Sequence, residues 1–124
     1  KGFNLDDGVI VNIDKIINIL TINSCGSISY TYNEPTIWIE LINDIYHNTK
    51  KYLAKNILIS NGYINQEPLK DLIKFIDAFN IDVKTFSKKF YENLHGDIDI
   101  IKKNIETIFY SKKHIEITTL IVPL

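Results

Sequence analysis

The sequence predicts an α/β fold with parallel strands and flanking helices, open or barrel-like. Two observations carry that expectation: short β-rich runs alternate with amphipathic helical stretches long enough to act as crossovers, and polar residues gather where the strands end. Strands joined through helices run parallel by right-handed crossovers. Their C-terminal ends then share one face of the sheet, which is where α/β proteins hold ligands.

The elements follow in order. Lys1 to Val11 gives no clear pattern. Asn12 can cap a helix in which Ile13, Ile16, Ile17 and Leu20 have the spacing of one buried stripe. Gly26 turns the chain into a first strand, Ser27 to Tyr32, where Ile28, Tyr30 and Tyr32 alternate with Ser27, Ser29 and Thr31. Pro35 and Thr36 start a helix from about Ile37 to Ala54, with Ile37, Leu41, Ile45 and Leu53 on one stripe. Asn56 to Ser60 is the second strand, and Asn61-Gly62-Tyr63 turns out of it. Asn65 can cap a third helix with Pro68 in its first turn and Leu69, Leu72, Ile73 and Ile76 inward.

Ala78 to Lys84 is the third strand. Ser87 to Leu94 suits a short helix ended by Gly96, and Asp97 caps a longer one to about Tyr110 with Ile98, Ile101, Ile105 and Ile108 inward. Ile115 to Val122 is the fourth strand. No linker, repeat or low-complexity segment interrupts this order, so the chain reads as one piece of one domain.

Composition excludes several classes of function. With 14 basic and 15 acidic side chains, the chain has no field to draw in nucleic acid or a membrane surface. Every basic residue is Lys, so an anion must be held by ammonium groups or backbone N–H rather than by a guanidinium fork. One cysteine rules out an internal disulfide framework and suits a reduced, cytoplasmic setting. No apolar run approaches the roughly 18 residues of a membrane span, and Lys1 to Asp7 does not resemble a signal peptide. The lack of Met, and the stop directly after a strong strand, suggest that both ends are cut.

The strand ends are polar: Asn33 and Glu34 after the first, Ser60, Asn61 and Gly62 at the second, Asp82 and Lys84 at the third, Thr118 and Thr119 in the fourth. In the third strand Phe79, Ile81 and Val83 point one way, while Asn80, Asp82 and Lys84 point the other. A parallel sheet buried on both faces reads as continuous apolar runs. A polar face of Ser29, Thr31, Asn33, Ser60, Asn80, Asp82, Lys84, Glu116 and Thr118 therefore needs solvent, pairing or a ligand, and implies a polar cavity inside a barrel-like sheet. The plainer reading pairs Lys84 with Asp82 or Glu116, and makes Asn33 and Glu34 simple helix-start residues.

Other residues have structural expectations. Cys25 is a small packing residue at a turn. His47, His95 and His114 share no spacing or carboxylate partner that suggests a triad or zinc site, and are expected at the surface or at caps. Tyr46, Tyr52, Tyr91 and Tyr110 are expected at the core edge. Trp38 either covers the cavity mouth or packs sideways on a helix.

The ordered set Ser29-Tyr30-Thr31-Tyr32-Asn33-Glu34-Pro35-Thr36, Ser60-Asn61-Gly62-Tyr63-Ile64-Asn65, Asn80-Ile81-Asp82-Val83-Lys84 and Glu116-Ile117-Thr118-Thr119-Leu120-Ile121-Val122-Pro123 resembles radical S-adenosylmethionine (radical SAM) enzymes. Within them it is most similar to the AmmeMemoRadiSam-system branch, which is related to pyruvate formate-lyase activating enzymes. The resemblance implies a TIM-like partial (β/α) barrel. Residues 1–124 would be its middle segment, with the first strand and cluster loop before Lys1 and the last strands after Leu124.

By the same resemblance, Asn33-Glu34-Pro35 stands where the family commonly has Gly-Gly-Glu-Pro, which holds the methionine amino group of S-adenosylmethionine. Ser60 and Asn61 would contact its methionine or ribose portion, Asp82 and Lys84 its ribose or carboxylate, and Leu120 and Val122 would flank the adenine. The family's Cys-x-x-x-Cys-x-x-Cys run, which binds a [4Fe-4S] cluster, is absent. The complete protein would take an electron donor and a substrate, for which a protein is one candidate. This segment alone would be inactive, with cofactor-binding walls and no catalytic or metal-ligating residue.

Two other readings remain open. A cluster-free barrel could use Lys84, made nucleophilic by burial, as a Schiff-base residue of an aldolase-type lyase. The chain could also be a non-catalytic relic that binds a small molecule or a partner.

Overall fold

A computed structural model describes residues 10–121. In them the chain forms α1 (Ile13–Ile22), β1 (Ser27–Tyr30), α2 (Ile39–Thr49), β2 (Lys55–Ser60), α3 (Gln66–Phe75), β3 (Ala78–Asp82), α4 (Lys88–Asn93), α5 (Ile98–Tyr110) and β4 (His114–Thr118). Short 3-10 helices, Pro35–Trp38 and Lys50–Tyr52, flank α2. Three of the α-helices begin on side-chain caps. Asn12 Oδ1 accepts from the Lys15 N–H at 3.0 Å, Ser87 Oγ from Phe90 at 3.3 Å and Asp97 Oδ1 from Asp99 at 2.9 Å. Asn65 occupies the corresponding place before α3, but its side chain makes no capping bond.

The strands form one parallel sheet of four in the order β1-β2-β3-β4. Register explains the layers. Tyr30, Leu58, Phe79 and Ile115 lie side by side in one row, and this side of the sheet is buried against Leu69 and Leu72 of α3 and Ile101 and Ile108 of α5. The opposite face carries the rows Ser29, Ile57, Ala78, His114 and Ile59, Asn80, Glu116, which are exposed or half-buried. Successive side chains alternate faces, so this polar face is the sequence's own alternation made spatial. Among the described residues β1 and β4 are both sheet edges.

Several expectations need correction. β1 ends at Tyr30 rather than Tyr32, because Tyr32 takes a left-handed φ of +51° and the chain turns there. The buried stripe of α2 is Ile42, Ile45 and Thr49, whereas Ile37 and Leu53 are exposed. The 3-10 turns advance about 3.0 residues per turn and shift the register of the stripe at both ends. Thr49 is tolerated inside because its hydroxyl donates to the Ile45 carbonyl at 2.7 Å. β3 stops at Asp82, although the Val83 N–H still reaches the Thr118 carbonyl at 2.9 Å. β4 covers His114–Thr118 instead of Ile115 to Val122. Cys25 is exposed rather than packed, and Tyr110 is exposed rather than at the core edge. Ser60 lies on the helix-covered face, since it pairs in register with the buried Ile81.

Trp38 packs edge-on to Tyr30 of β1, with ring centroids 6.2 Å apart. Two buried polar groups fix elements across the core. The Tyr30 hydroxyl donates to Asn56 Oδ1 at 2.7 Å, and burial raises its pKa well above the usual phenol range. Asn104 sits at 1% exposure on the apolar stripe of α5, where its Nδ2 donates to the carbonyls of Gly62 at 2.9 Å and Ile64 at 2.7 Å. Its Oδ1 accepts from the Gln66 amide.

Asn104→Leu keeps the branched shape at Cγ but leaves those two carbonyls without donors. We expect a loss of about 2 kcal/mol, measured by urea unfolding. At the other end of the sheet, burial pushes the Asp77 carboxyl up, but the Asn56 N–H at 2.9 Å and Lys55 Nζ at 3.0 Å outweigh this and hold it below its ordinary 3.8. A depressed carboxyl stabilises the fold above its unfolded pKa, and this stability is lost as pH falls through the folded value. Because the Lys55 arm is solvent-screened, the expected contribution is about 1 kcal/mol. Wild type and Asp77→Asn should therefore differ by that amount in unfolding free energy at pH 7 and converge near pH 2.

Candidate functional site

Glu34 organises the C-terminal edge of the sheet. It leaves the turn after β1 in extended backbone and caps the Pro35–Trp38 helix, its Oε1 accepting from the Thr36 N–H at 3.2 Å and hydroxyl at 2.9 Å. The same Oε1 accepts from the Ser60 hydroxyl at 2.7 Å, and Oε2 from the Asn61 N–H at 2.8 Å. The helix-start reading of Glu34 is thus correct, yet it is half of the arrangement. The carboxylate also ties the end of β1 to the end of β2.

The loop after β2 is shaped by the same groups. Ser60 Oγ accepts from the Gly62 N–H at 3.0 Å, and Asn61 Oδ1 from the Tyr63 N–H at 2.8 Å. Gly62 has φ +73°, and a Cβ placed on it would stand 2.8 Å from Ile81 Cγ2. Only glycine meets both requirements without displacing the core.

Beside this loop a pocket of about 210 Å³ opens between the ends of β2 and β3 and the α4–α5 connection. Asn61, Asp82, Lys84 and His95 supply its polar groups, and Tyr63, Tyr91, Leu94 and Ile101 its apolar ones. Lys84 Nζ pairs with Asp82 Oδ2. Asp82 Oδ1 is buried without a hydrogen-bond partner among the described residues. Tyr91 helps set the wall, its hydroxyl oxygen accepting the Lys84 N–H at 3.0 Å.

On the open face a ladder continues from this corner. Asn80 Oδ1 accepts from the Thr118 hydroxyl at 3.0 Å, its Nδ2 donates to Glu116 Oε2 at 3.4 Å, and His114 Nε2 lies 3.1 Å from Glu116 Oε1. The bonds from His114 and Asn80 hold the Glu116 carboxyl below its usual range. His114 therefore does have a carboxylate partner, two residues along its own strand.

Of the residues singled out in the sequence, Glu34, Ser60 and Asn61 are joined by hydrogen bonds, and Asn61, Asp82 and Lys84 line one pocket. Pro35 is buried behind them and Asn33 is exposed next to them. Leu120 is 71% exposed and does not line the pocket, because β4 ends before it; Val122 lies outside the described residues. Lys84 keeps 48% of its side chain exposed and is ion-paired, which is not the buried, unpaired setting of a Schiff-base lysine. The sequence reading missed Tyr91, His95 and Asn104. A polar residue inside an apolar helical stripe could have flagged Asn104, but nothing local places Tyr91 or His95 over the end of β3.

A wider cleft of about 450 Å³ between α2 and α3 is lined by the stacked Tyr46 and Phe75 and by surface charges such as Glu40, Asp71 and Lys74. It includes none of the strand-end groups. No cluster of three or more His, Cys, Asp or Glu side chains suited to a metal ion occurs among the described residues. The single cysteine precedes β1, at the opposite end of the sheet from the pocket, so an iron–sulfur cluster does not fit the ligands this chain carries. No described helix is long and apolar enough to cross a membrane.

No family model matches the chain. It is similar to an uncharacterized protein of Methanocaldococcus jannaschii, 34% identical over 113 residues that cover 89% of this chain and 32% of that relative. The chain thus spans about a third of the relative's length. Among solved structures it is similar to a domain of pyruvate-formate lyase-activating enzyme from Bacteroides vulgatus, with a TM-score of 0.66 and 16% identity over 76% of this chain and 59% of that one. At that identity the likeness establishes the fold: a parallel α/β sheet with flanking helices, shared with part of an activating-enzyme domain.

Proposed function

We propose that the chain is the middle segment of the core domain of a radical SAM enzyme, and that its strand ends form part of the wall around S-adenosylmethionine. One observation carries the reading: Asn61, Asp82 and Lys84, from the ends of two strands, line one pocket beside the Glu34 tie. The fold shared with an activating-enzyme domain supports it, as do the four strand-end motifs, which favour the AmmeMemoRadiSam-related branch.

The residues fit parts of that cofactor. The Asp82 carboxylate suits a ribose hydroxyl and Lys84 a carboxylate. Glu34 already receives four protein donors, so an ammonium group would use only the free side of Oε2. Its larger contribution is to hold Ser60 and Asn61 in place. Leu120 and Val122 would flank the adenine only once the stretch after β4 is packed against it. At about 210 Å³ the pocket is below the roughly 300–1,000 Å³ of complete small-molecule sites, so it takes one portion of the cofactor.

In this reading the complete protein uses a [4Fe-4S] cluster, held by cysteines outside this chain, to cleave S-adenosylmethionine reductively to a 5′-deoxyadenosyl radical. An electron donor serves the cluster in a reducing cytoplasm, and the barrel's remaining strands close over the polar face. In the full-length protein, Asp82→Ala should weaken S-adenosylmethionine binding by about 10–100-fold by calorimetry. The reconstituted wild type should release 5′-deoxyadenosine under reductant. Binding without release would instead support a non-catalytic relic, and no binding by the wild type would overturn the proposal.

A further inference from the structure

We propose that the groove between α2 and α3 is a docking surface for a partner protein, and that its occupant is an acidic helical segment with an apolar stripe. The inference does not rest on the cofactor-wall reading. The groove lies in the helix layer, and its basic end is at the edge of the sheet where β2 and β4 begin, opposite the edge held by Glu34.

Two clefts form this one groove. The cleft of about 450 Å³ described above and a second of about 360 Å³ share the side chains of Tyr46, Lys74 and Phe75. Along α2 and its 3-10 extension the lining residues Ile39, Asn43, Tyr46 and Lys50 recur at helical spacing, in a stripe beside the buried Ile42, Ile45 and Thr49. From Ile39 to Lys50 the helical rise gives a length of roughly 16 Å, about three turns of a helix laid along it. Tyr46 and Phe75, half-buried and stacked with ring centroids 5.0 Å apart, make the middle of the floor. Leu53 stands 85% exposed at the far end.

Charge decides the occupant. Lys50, Lys55, Lys74 and Lys113 line the far end together with Asp77. Lys55 Nζ is 3.0 Å from Asp77 and Lys74 Nζ is 2.6 Å from Asp71, whereas Lys50 and Lys113 form no salt bridge among the described residues. Cations also suit the C-terminal ends of α2 and α3, but that does not account for the apolar floor beside them. A small free anion would satisfy the lysines and leave Tyr46, Phe75 and Leu53 in water. An amphipathic helix with carboxylates at one end and apolar side chains along one face uses both features, as helix-in-groove partners do. Further strands pair only at the sheet edges β1 and β4, while α2 and α3 join β1 to β2 and β2 to β3, so the groove stays open to a partner.

The test selects random peptides of about 12 residues, enough to span the groove as a helix, from a phage library against the full-length protein. We expect the recovered peptides to carry apolar residues at helical spacing with Asp or Glu gathered at one end. The strongest of them, measured by fluorescence anisotropy, should bind Lys50→Gln/Lys113→Gln about tenfold more weakly, with the unfolding midpoint of the protein unchanged. Its counterpart with Lys in place of the acidic residues should instead prefer Lys50→Glu/Lys113→Glu to wild type. Recovered peptides without acidic residues, or equal binding to wild type and the Gln variant, would overturn the proposal. Two further results would overturn it by naming another occupant. One is a full-length dimer in sedimentation that Lys50→Glu/Lys113→Glu dissociates, which puts a second copy in the groove; the other is displacement of the peptide by succinate at equal concentration, which makes the site one for a small dianion.

Discussion

The carboxylate of Glu34 is the constraint on which the rest of the strand-end structure depends. It joins the loops that leave the paired strands β1 and β2, and it receives donors from Thr36, Ser60 and Asn61. Bonds to an ionised acceptor are the stronger kind, about 1.5–3 kcal/mol each where the charge is partly buried. Water could replace any one of them. It could not replace the set and still keep Ser60 and Asn61 in one orientation.

The effect passes on through shared atoms. Ser60 Oγ, held by Glu34, accepts the Gly62 N–H; Gly62 takes a left-handed conformation close against Ile81; and its carbonyl is received by the buried Asn104 of α5. A line of four side chains and one glycine thus connects β1, β2, β3 and α5. Asn61 is the branch point, since its N–H belongs to the tie while its side chain lines the pocket with Asp82 and Lys84. A cofactor wall at this edge would inherit its rigidity from Glu34.

Much of the fold was legible because the apolar spacing was regular. Ile98, Ile101 and Ile108 face inward as their periodicity requires, as do Leu69, Leu72 and Ile76, and Asn12 and Asp97 cap where expected. The stripe of α2 was misread because 3-10 turns have a different period, which no apolar count reveals. β4 was read too long because Leu120 and Ile121 look like strand residues, while here they are exposed beyond the last pairing. At the site, strand-end position was enough to bring Asn61, Asp82 and Lys84 together. The link from Glu34 to Ser60, 26 positions away, needed the register of β1 on β2. Ser60 was assigned to the wrong face because hydroxyl residues were grouped by polarity, whereas the pairing with Ile81 decides the side.

The most direct test of this account is the hydrogen exchange rate of the Asn61 amide in the wild-type protein. Asn61 is exposed and lies beyond the end of β2, so an untied loop would exchange it at nearly the intrinsic rate. If Glu34 holds the strand ends as described, that amide is protected to within about tenfold of the β2 amides, and Glu34→Gln releases it while β2 stays protected. Exchange of the wild-type amide at the speed of an ordinary surface loop would contradict the account.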